Sequence, residues 1–169
     1  MANEEKIAGD LVARFSQLRD KVKIQRARRI WVEAEESIFA DLVDHLKNKM
    51  GFNVLCTITG LDEGERLTLI YHFAHFDGTT LNVRRFAPRA NPVVTTITNH
   101  FPGGELYERE VMDLFGFIVE GLPPGKRYPL PDSFPTGEHP LRKDWHPKGE
   151  NPSDADAQKG SAPVPEKEQ

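Results

Sequence analysis

Two closely spaced turns in the middle of the chain constrain its fold more than any other feature. The polar turns LDEGE and DGTT separate three apolar runs, at residues 53–60, 66–76 and 81–86. In the second turn, Asp77-Gly78 supplies the positive φ angles that a two-residue hairpin requires. Strands joined by turns this short pair antiparallel. The sequence therefore predicts a meander of three antiparallel strands.

Apolar residues at helical spacing precede this meander. Residues 4–21 and residues 35–50 each carry one apolar stripe, with Gly51 ending the second helix. A helix of this kind buries its stripe against a neighbouring layer. We therefore expect an α+β fold, a two-layer domain with an antiparallel sheet, helices on one face and an extended C-terminal arm.

The basic stretch between the two helices, KVKIQRARRIWVEA, alternates as a strand does. Read as a single strand, it places Arg26 and Arg28 on the same face as Val22 and Val32. An edge strand protected by charge explains these arginines best, because charged side chains discourage edge-to-edge pairing. A basic patch on a sheet edge is the alternative.

The C-terminal half changes character at several proline- and glycine-rich points. Asn91-Pro92 predicts an N-cap and the first position of a short helix that ends near residue 99. A second helix is expected over residues 105–115, and Pro and Gly are too dense in 121–140 for regular structure. We predict a domain over residues 1–147, with its arm starting at about residue 117, and a disordered acidic tail over 148–169.

Composition excludes several classes of protein. The net charge of −4 does not point to nucleic acid, and no apolar run approaches the roughly 18 residues that would span a bilayer. One cysteine, Cys56, leaves no internal disulfide, thiolate zinc site or iron–sulfur cluster held by this chain alone. Its apolar surroundings predict a buried structural thiol. The N-terminus lacks a signal-peptide pattern, so a cytoplasmic location is expected.

The segment GGELYEREVMDLFGF concentrates charge on a predicted helix. Glu110 and Asp113 share a face and could form a catalytic carboxylate pair. However, no phosphate-binding loop, nucleophile elbow or second acid/base cluster accompanies them, and the histidines lack metal-ligand spacing. A helix with one buried face and one charged face explains the segment better. Arg109 is expected to pair with Glu105 or Asp113 on that helix.

The following segment, GLPPGKRYPLPDSFPTGEHPLRKDW, is irregular yet rich in large apolar residues. A proline-stiffened chain loses less entropy when it docks, so the segment should wrap its own domain or lie across another subunit. Pro140 disfavours helix at His139. We expect the arm to fold back past the acidic helix, so that both charged blocks border one composite surface with Leu141 and Trp145 as apolar anchors.

Together, YEREVMDLFGF and HPLRKDW resemble the signature of a known family, the 30-kDa subunit of respiratory complex I. The same subunit type occurs in membrane-bound NiFe hydrogenases and related ion-pumping complexes. The resemblance covers residues 53–145. The matching positions are Tyr107, Glu108, Arg109, Glu110, Asp113, Leu114, Phe115, Gly116, Phe117 and the block from His139 to Asp144.

This resemblance implies a non-catalytic structural subunit of an ion-translocating redox complex. Such a chain binds no cofactor, and the NiFe centre and iron–sulfur clusters belong to partner subunits. It packs against the hydrogenase-like large subunit, with an iron–sulfur small subunit adjacent, in the peripheral arm on the cytoplasmic side. The implied interface residues are Glu108, Arg109, Glu110, Asp113, Arg127, His139, Leu141, Arg142, Lys143, Asp144 and Trp145.

The segment between the two motifs favours one branch of the family. Quinone-reducing members typically carry G-H-P-D-L-R-R there, and this chain reads GLPPGKR, of which Gly121, Pro123 and Arg127 carry over. A hydrogenase-type complex is therefore favoured over an NADH- or other donor:quinone oxidoreductase. Two alternatives from other classes remain. One is a stand-alone acid/base enzyme using Glu110, Asp113 and a histidine.

The other alternative is a nucleic-acid-binding module. Its contacts would come from Lys23, Arg26, Arg28 and Arg29. The acidic net charge counts against it.

Overall fold

The computed structural model describes residues 3–147. In chain order, its elements are α1 (Asn3–Arg14), β1 (Val22–Arg26), β2 (Arg29–Glu33), α2 (Glu36–Asn48), β3 (Val54–Asp62), β4 (Arg66–Ala74), β5 (Thr80–Pro88), β6 (Val93–Thr95), α3 (Glu105–Phe115) and β7 (Ile118–Glu120). The helices predicted over 35–50 and 105–115 and the three meander strands are confirmed to within a few residues, whereas the helix predicted over 4–21 ends at Arg14. The predicted tail lies outside the described residues.

A five-stranded sheet in the order β1-β2-β5-β4-β3 forms one layer. The α+β class is confirmed, and β3, β4 and β5 pair antiparallel as predicted. The sheet is mixed, however, because β2 pairs with β5 in parallel. Helix α2 returns the chain so that β3 runs in the same direction as β2. The meander then reverses direction twice, and β5 arrives beside β2 running parallel to it.

Residues 22–33 form a hairpin, so the prediction of a single strand was wrong. Arg28 has a φ of 60° and turns the chain between β1 and β2. Pairing places Val22 opposite Val32 and Ile24 opposite Ile30, so these apolar side chains still share one face. β1 is an outer strand of the sheet, as the charge pattern predicts for this stretch.

The main core lies between the helices and one face of the sheet. Phe39 of α2 packs on Tyr71 of β4, with 4.7 Å between ring centroids. Helix α3 reaches the same face at β3, where a Cβ on Gly60 would lie 2.5 Å from the Phe115 ring. Since Gly60 pairs with Leu69 and Leu69 is buried in the same core, α3 covers the same face as α2, and α1 contributes Ile7 and Leu11 to this core. The opposite face carries no helix among the described residues.

A buried arginine ties the layers together. The Arg85 guanidinium lies 3.7 Å from the centroid of the Phe39 ring and donates to the Tyr71 hydroxyl at 2.9 Å and the Thr95 carbonyl at 3.1 Å. It also pairs with Glu36 on α2. Burial, which outweighs the neighbouring Arg85 charge, raises the pKa of Tyr71 to about 12. Arg85 therefore belongs to the core of this fold.

The predicted helix over residues 91–99 was wrong. Val93–Thr95 is instead a strand that pairs in parallel with Ile118–Glu120. Every residue of the run VVTTIT is β-branched, and β-branched residues favour strands over helices. Because β7 belongs to this small second sheet, the irregular arm begins at Gly121, later than residue 117.

Cys56 is exposed, which contradicts the prediction of a buried thiol. The pairing register of β3 with β4 shifts between Leu55 and Thr57, so a β-bulge sits at Cys56. A bulge re-aims its extra residue, and the alternation of the sequence therefore fails at this position. No helix within residues 3–147 has the length and hydropathy needed to cross a membrane.

Candidate subunit interface

Helix α3 starts and ends at glycines that neighbouring groups approach closely. A Cβ on Gly104 would lie 2.7 Å from Ile97, and one on Gly116 would lie 2.5 Å from the His139 ring. Gly116 has a φ of 75° and closes the helix by donating from its N–H to the Met112 carbonyl at 2.9 Å. This is the left-handed glycine ending common at helix C-termini. The arm thus crosses α3 directly at its C-terminal end.

Glu108 lies in the interior, with no exposed surface. Its carboxylate accepts hydrogen bonds from the Thr96 hydroxyl at 2.5 Å and the Ile97 N–H at 2.7 Å. Burial raises the pKa of Glu108, although both hydrogen bonds and the Arg85 charge oppose the rise. The expectation that Glu108 contacts another subunit is therefore corrected: a fully buried side chain joins α3 to the 96–97 turn of its own domain.

Arg109 fixes the start of the arm. Its guanidinium binds Glu105 at 2.9 Å, as predicted, and also donates to the Pro123 carbonyl at 2.6 Å. The guanidinium lies directly against Gly125, where any Cβ would clash with it. Only 10% of the Arg109 side chain is exposed. This residue therefore contributes mainly to docking the arm on α3.

Asp113 fixes the middle of the arm. Its carboxylate accepts from Arg127 Nε at 2.7 Å and from the Leu130 N–H at 3.1 Å. The His139 ring donates from Nδ1 to the Asp113 carbonyl at 2.8 Å. Glu110 is half-buried and has no hydrogen bond or ion pair within residues 3–147. The structure thus uses Asp113 as an anchor for the arm and does not join it to Glu110 as a carboxylate pair.

The HPLRKDW block passes the C-terminal end of α3. The Leu141 N–H donates to the Leu114 carbonyl at 3.0 Å, and Arg142 Nε donates to the Phe115 carbonyl at 2.7 Å. These carbonyls belong to the last turn of α3, whose acceptors lack helical partners. A cation also suits the negative end of the helix dipole. The arm therefore folds back past α3, as predicted, and Arg142 is held there by the backbone carbonyl of Phe115.

The end of the arm is clamped by two residues that sequence reasoning missed. Asp62 accepts from the Lys143 N–H at 2.8 Å, and Arg89 pairs with both Asp62 and Asp144. Burial would raise the pKa of Asp62, but hydrogen bonds from Lys143, Gly64 and Arg89 together lower it to about 2. The Asp-x-Gly turn was visible in the sequence. Its partner 81 residues away was not.

The surface made by α3 and the docked arm carries exposed apolar groups. Leu106 is 56% exposed and Leu141 is 52% exposed, with Ile118 and Tyr128 also open to solvent. A groove of about 520 Å³ runs between α3, β7 and the arm. Trp145 is half-buried, packs on Phe134 and donates to Glu138 at 3.0 Å, so it stabilises the arm from within. Of the two predicted anchors, Leu141 is the more exposed.

The charged groups of this surface form neither an acid/base cluster with histidine nor a metal site within residues 3–147. Most of its charged groups already hold the arm in place, and within residues 3–147 no cluster of three or more histidine, cysteine or acidic side chains could hold a metal ion. No described histidine side chain bonds to the Glu110 or Asp113 carboxylate. The stand-alone acid/base alternative therefore lacks an assembled site in the described part of the chain.

Sequence comparison gives a consistent result. The family model described as respiratory-chain NADH dehydrogenase, 30 Kd subunit, matches residues 30–151. The chain is 34% identical over 137 residues to NADH-quinone oxidoreductase subunit 5 of Thermus thermophilus, covering 73% of this chain and 64% of that protein. It therefore spans just under two-thirds of that relative's length. It is also 29% identical over 150 residues to membrane-bound hydrogenase subunit beta of Pyrococcus furiosus, covering 85% and 87% of the two chains.

Solved structures share the fold. A trypsin-resistant fragment of Nqo5 superposes with a TM-score of 0.61 at 29% identity, covering 72% of this chain and 98% of the fragment. A chain from the structure of the membrane-bound sulfane sulfur reductase gives a TM-score of 0.77 at 23% identity, covering 98% and 95%. The α3 and arm motifs lie within residues 30–151, which the family model matches. The chain belongs to the 30-kDa subunit family of the respiratory-chain NADH dehydrogenase.

Proposed function

We propose that this chain is a non-catalytic assembly subunit of a membrane-bound, ion-translocating redox complex. It sits in the peripheral arm on the cytoplasmic side and docks on the hydrogenase-like large subunit, with the iron–sulfur small subunit next to it. The redox centres, a NiFe centre and iron–sulfur clusters, belong to those partners. The chain itself supplies a rigid, shaped surface.

The docked arm is the observation that carries this proposal. Arg109, Asp113 and Asp62 hold the arm at its start, middle and end. An irregular segment held in this way presents a fixed surface, and preorganisation lowers the entropy cost of association. Leu141 stands out from that surface at 52% exposure, as an apolar anchor for a partner would.

Two types of complex are candidates for the one that contains this subunit. The GLPPGKR segment, which departs from the quinone-reductase pattern, favours a hydrogenase-type complex. The Pyrococcus furiosus relative, named as a membrane-bound hydrogenase subunit, supports this choice. The 34% identity to the Thermus thermophilus quinone oxidoreductase subunit favours the second candidate.

Co-purification from the native membrane tests the proposal. The chain, tagged at its C-terminus, should bring down a hydrogenase-like large chain and an iron–sulfur small chain. A large chain with four metal-binding cysteines supports the hydrogenase type, whereas one lacking some of them supports a quinone, sulfur or other acceptor. Recovery of the tagged chain alone, from membranes in which it is expressed at its native level, would overturn the proposal.

The isolated chain provides a second test. Purified alone, it should show no flavin or iron–sulfur absorption in the visible range. Turnover by the isolated chain would support the stand-alone enzyme. Nucleic-acid binding that weakens steeply with salt would support the nucleic-acid module instead.

A further inference from the structure

The outer edge of β3 is long and uncharged. β3 is the last strand of the sheet, and within its nine residues, VLCTITGLD, no charge precedes Asp62 and no proline occurs. Monomeric proteins usually keep edge strands short, charge them or cover them, because their unpaired backbone groups recruit other strands. β3 lacks the charges and the prolines that serve this purpose, although the bulge at Cys56 interrupts its first half.

Only part of this edge is covered by the described chain. Helix α3 covers β3 on the helical face, and the Tyr107 hydroxyl donates to the Cys56 carbonyl at 3.0 Å. No segment within residues 3–147 pairs with β3 on the side away from β4. Val54 and Leu61 are 42% and 36% exposed. The edge therefore presents both backbone groups and apolar side chains.

A groove lies beside the start of this edge. It has a volume of about 450 Å³, and its walls include Val54, Leu55, Phe101, Pro102 and Tyr107. Strand addition combines a row of backbone hydrogen bonds with pockets for alternate side chains of the added segment. Both elements are present here, next to each other.

We propose that the outer edge of β3 receives an extended segment of a partner subunit. The segment adds a strand to the sheet and places an apolar side chain in the groove. This inference rests on the proposed function, because it requires a complex. The edge is continuous with the α3–arm surface: Asp62, which ends β3, binds the Lys143 N–H of the arm. One partner could therefore contact both.

The chain's own C-terminal segment is a poor occupant by composition. Residues 148–169 contain Pro152, Pro163 and Pro165, and Val164 is their single β-branched residue. Prolines cannot donate to a ladder, and strands favour β-branched residues. A second copy of the chain, pairing edge to edge, is the remaining competitor, and the oligomeric state of a β3 variant distinguishes it.

Cys56 makes the proposal testable, because it is the single cysteine of the chain, is exposed and lies within this edge. Its alkylation by a maleimide is compared in the isolated chain and in the purified native complex. The proposal expects alkylation at least tenfold slower in the complex, with full reactivity restored in denaturant. Equal rates in the two samples would overturn it.

A matched pair of variants provides the second arm of the test. Val54→Lys places a charge on the β3 edge, and Ile24→Lys does the same on β1, at sites 42% and 40% exposed. Val54→Lys should lower the recovered complex at least tenfold and Ile24→Lys by less than twofold, with Tm of the isolated chain unchanged by both. Equal effects of the two variants would contradict a specific β3 site.

The outcomes also separate the two proposals. An intact complex in which Cys56 reacts at its free rate overturns strand addition and leaves the proposed function standing. Absence of any partner overturns both. A concentration-dependent dimer of the isolated chain that Val54→Lys abolishes would assign the edge to a second copy and overturn the partner proposal.

Discussion

In α3 the signature side chains turn toward the chain's own domain, whereas in the arm the second motif leaves apolar and charged side chains facing outward. Glu108 is fully buried, and the Arg109 side chain is 10% exposed. Leu141 is 52% exposed and Lys143 is exposed, although the N–H of each donates to the domain. One family signature therefore contains two kinds of position. The first kind stabilises the fold, and the second is available to a partner.

The largest expected effect is on stability, from a change in α3, the part of the signature that faces the chain's own domain. Glu108→Ala should lower the free energy of unfolding of the isolated chain by about 2–3 kcal/mol, because it leaves the buried Ile97 N–H and Thr96 hydroxyl without their acceptor. Chemical denaturation at pH 7 measures this. An effect below about 0.5 kcal/mol would mean that Glu108 does not stabilise the domain, and the comparison would fail.

Glu108→Gln tests the burial of Glu108 by its effect on the pH dependence of stability. A buried carboxyl with a raised pKa binds its proton more tightly in the folded chain than in the unfolded one. Its stabilising effect is therefore present below the unfolded pKa and declines as pH rises toward the folded value. The amide cannot titrate, so this decline above about pH 4.5 should be smaller in Glu108→Gln than in the wild type. Parallel curves of stability against pH would contradict it.

The next largest effect is on assembly, from a change in the arm, the part of the signature with side chains that face outward. Leu141→Asp should weaken assembly by more than about 2 kcal/mol, the scale of an interface hot spot, while the isolated chain keeps its Tm. Quantitative recovery of the complex and thermal unfolding of the free chain measure the two. A variant that unfolds alone but assembles normally would assign Leu141 to internal packing.

A smaller effect is expected where the two halves meet. Gly116→Ala should cost about 1–2 kcal/mol for the left-handed backbone, and its methyl group would also displace His139 from the Asp113 carbonyl. Gly137→Ala is the matched control, with a φ of 81° and open space around it. Limited proteolysis should cut the arm faster in Gly116→Ala alone. Equal cutting would show that the contact does not hold the arm.

The smallest effect concerns the clamp at the end of the arm. The pKa of Asp62 is lowered from 3.8 to about 2, so its stabilising effect is full above about pH 4 and is lost as pH falls through 2. Asp62→Asn should remove that acid sensitivity and cost about 1 kcal/mol at neutral pH. Thermal unfolding between pH 2 and 5 measures it, with Asp132→Asn as the control. Identical acid profiles for wild type and Asp62→Asn would contradict the clamp.

The features that could be predicted from the sequence are those that short stretches of residues determine. The Asp77-Gly78 turn, the helix over Glu105–Phe115 and the fold-back of the arm could all be inferred from short stretches. The parallel pairing of β2 with β5 could not, because it depends on how far the chain travels through α2 before the meander returns. The helix predicted after Asn91-Pro92 was wrong, since the β-branched run that follows favours a strand.

For the candidate interface too, the sequence predicted what depends on a local motif and missed what depends on distant residues. Leu141 stands exposed where its motif predicted an anchor, and Arg127 binds Asp113 on the acidic helix. Glu108 was misplaced, because charge in a helix does not reveal which charge is buried against a turn twelve residues earlier. The Asp62–Arg89–Asp144 cluster joins three segments that are distant in sequence, and a local sequence pattern cannot predict such a contact.

The arm is held largely through its main chain, and this has a consequence for how the family can diversify. Arg109 binds the Pro123 carbonyl, Asp113 binds the Leu130 N–H and Asp62 binds the Lys143 N–H. None of these three bonds uses a side chain of the arm. Mutation can therefore rewrite the outer surface of the arm, and with it the partner it fits, along an unchanged path.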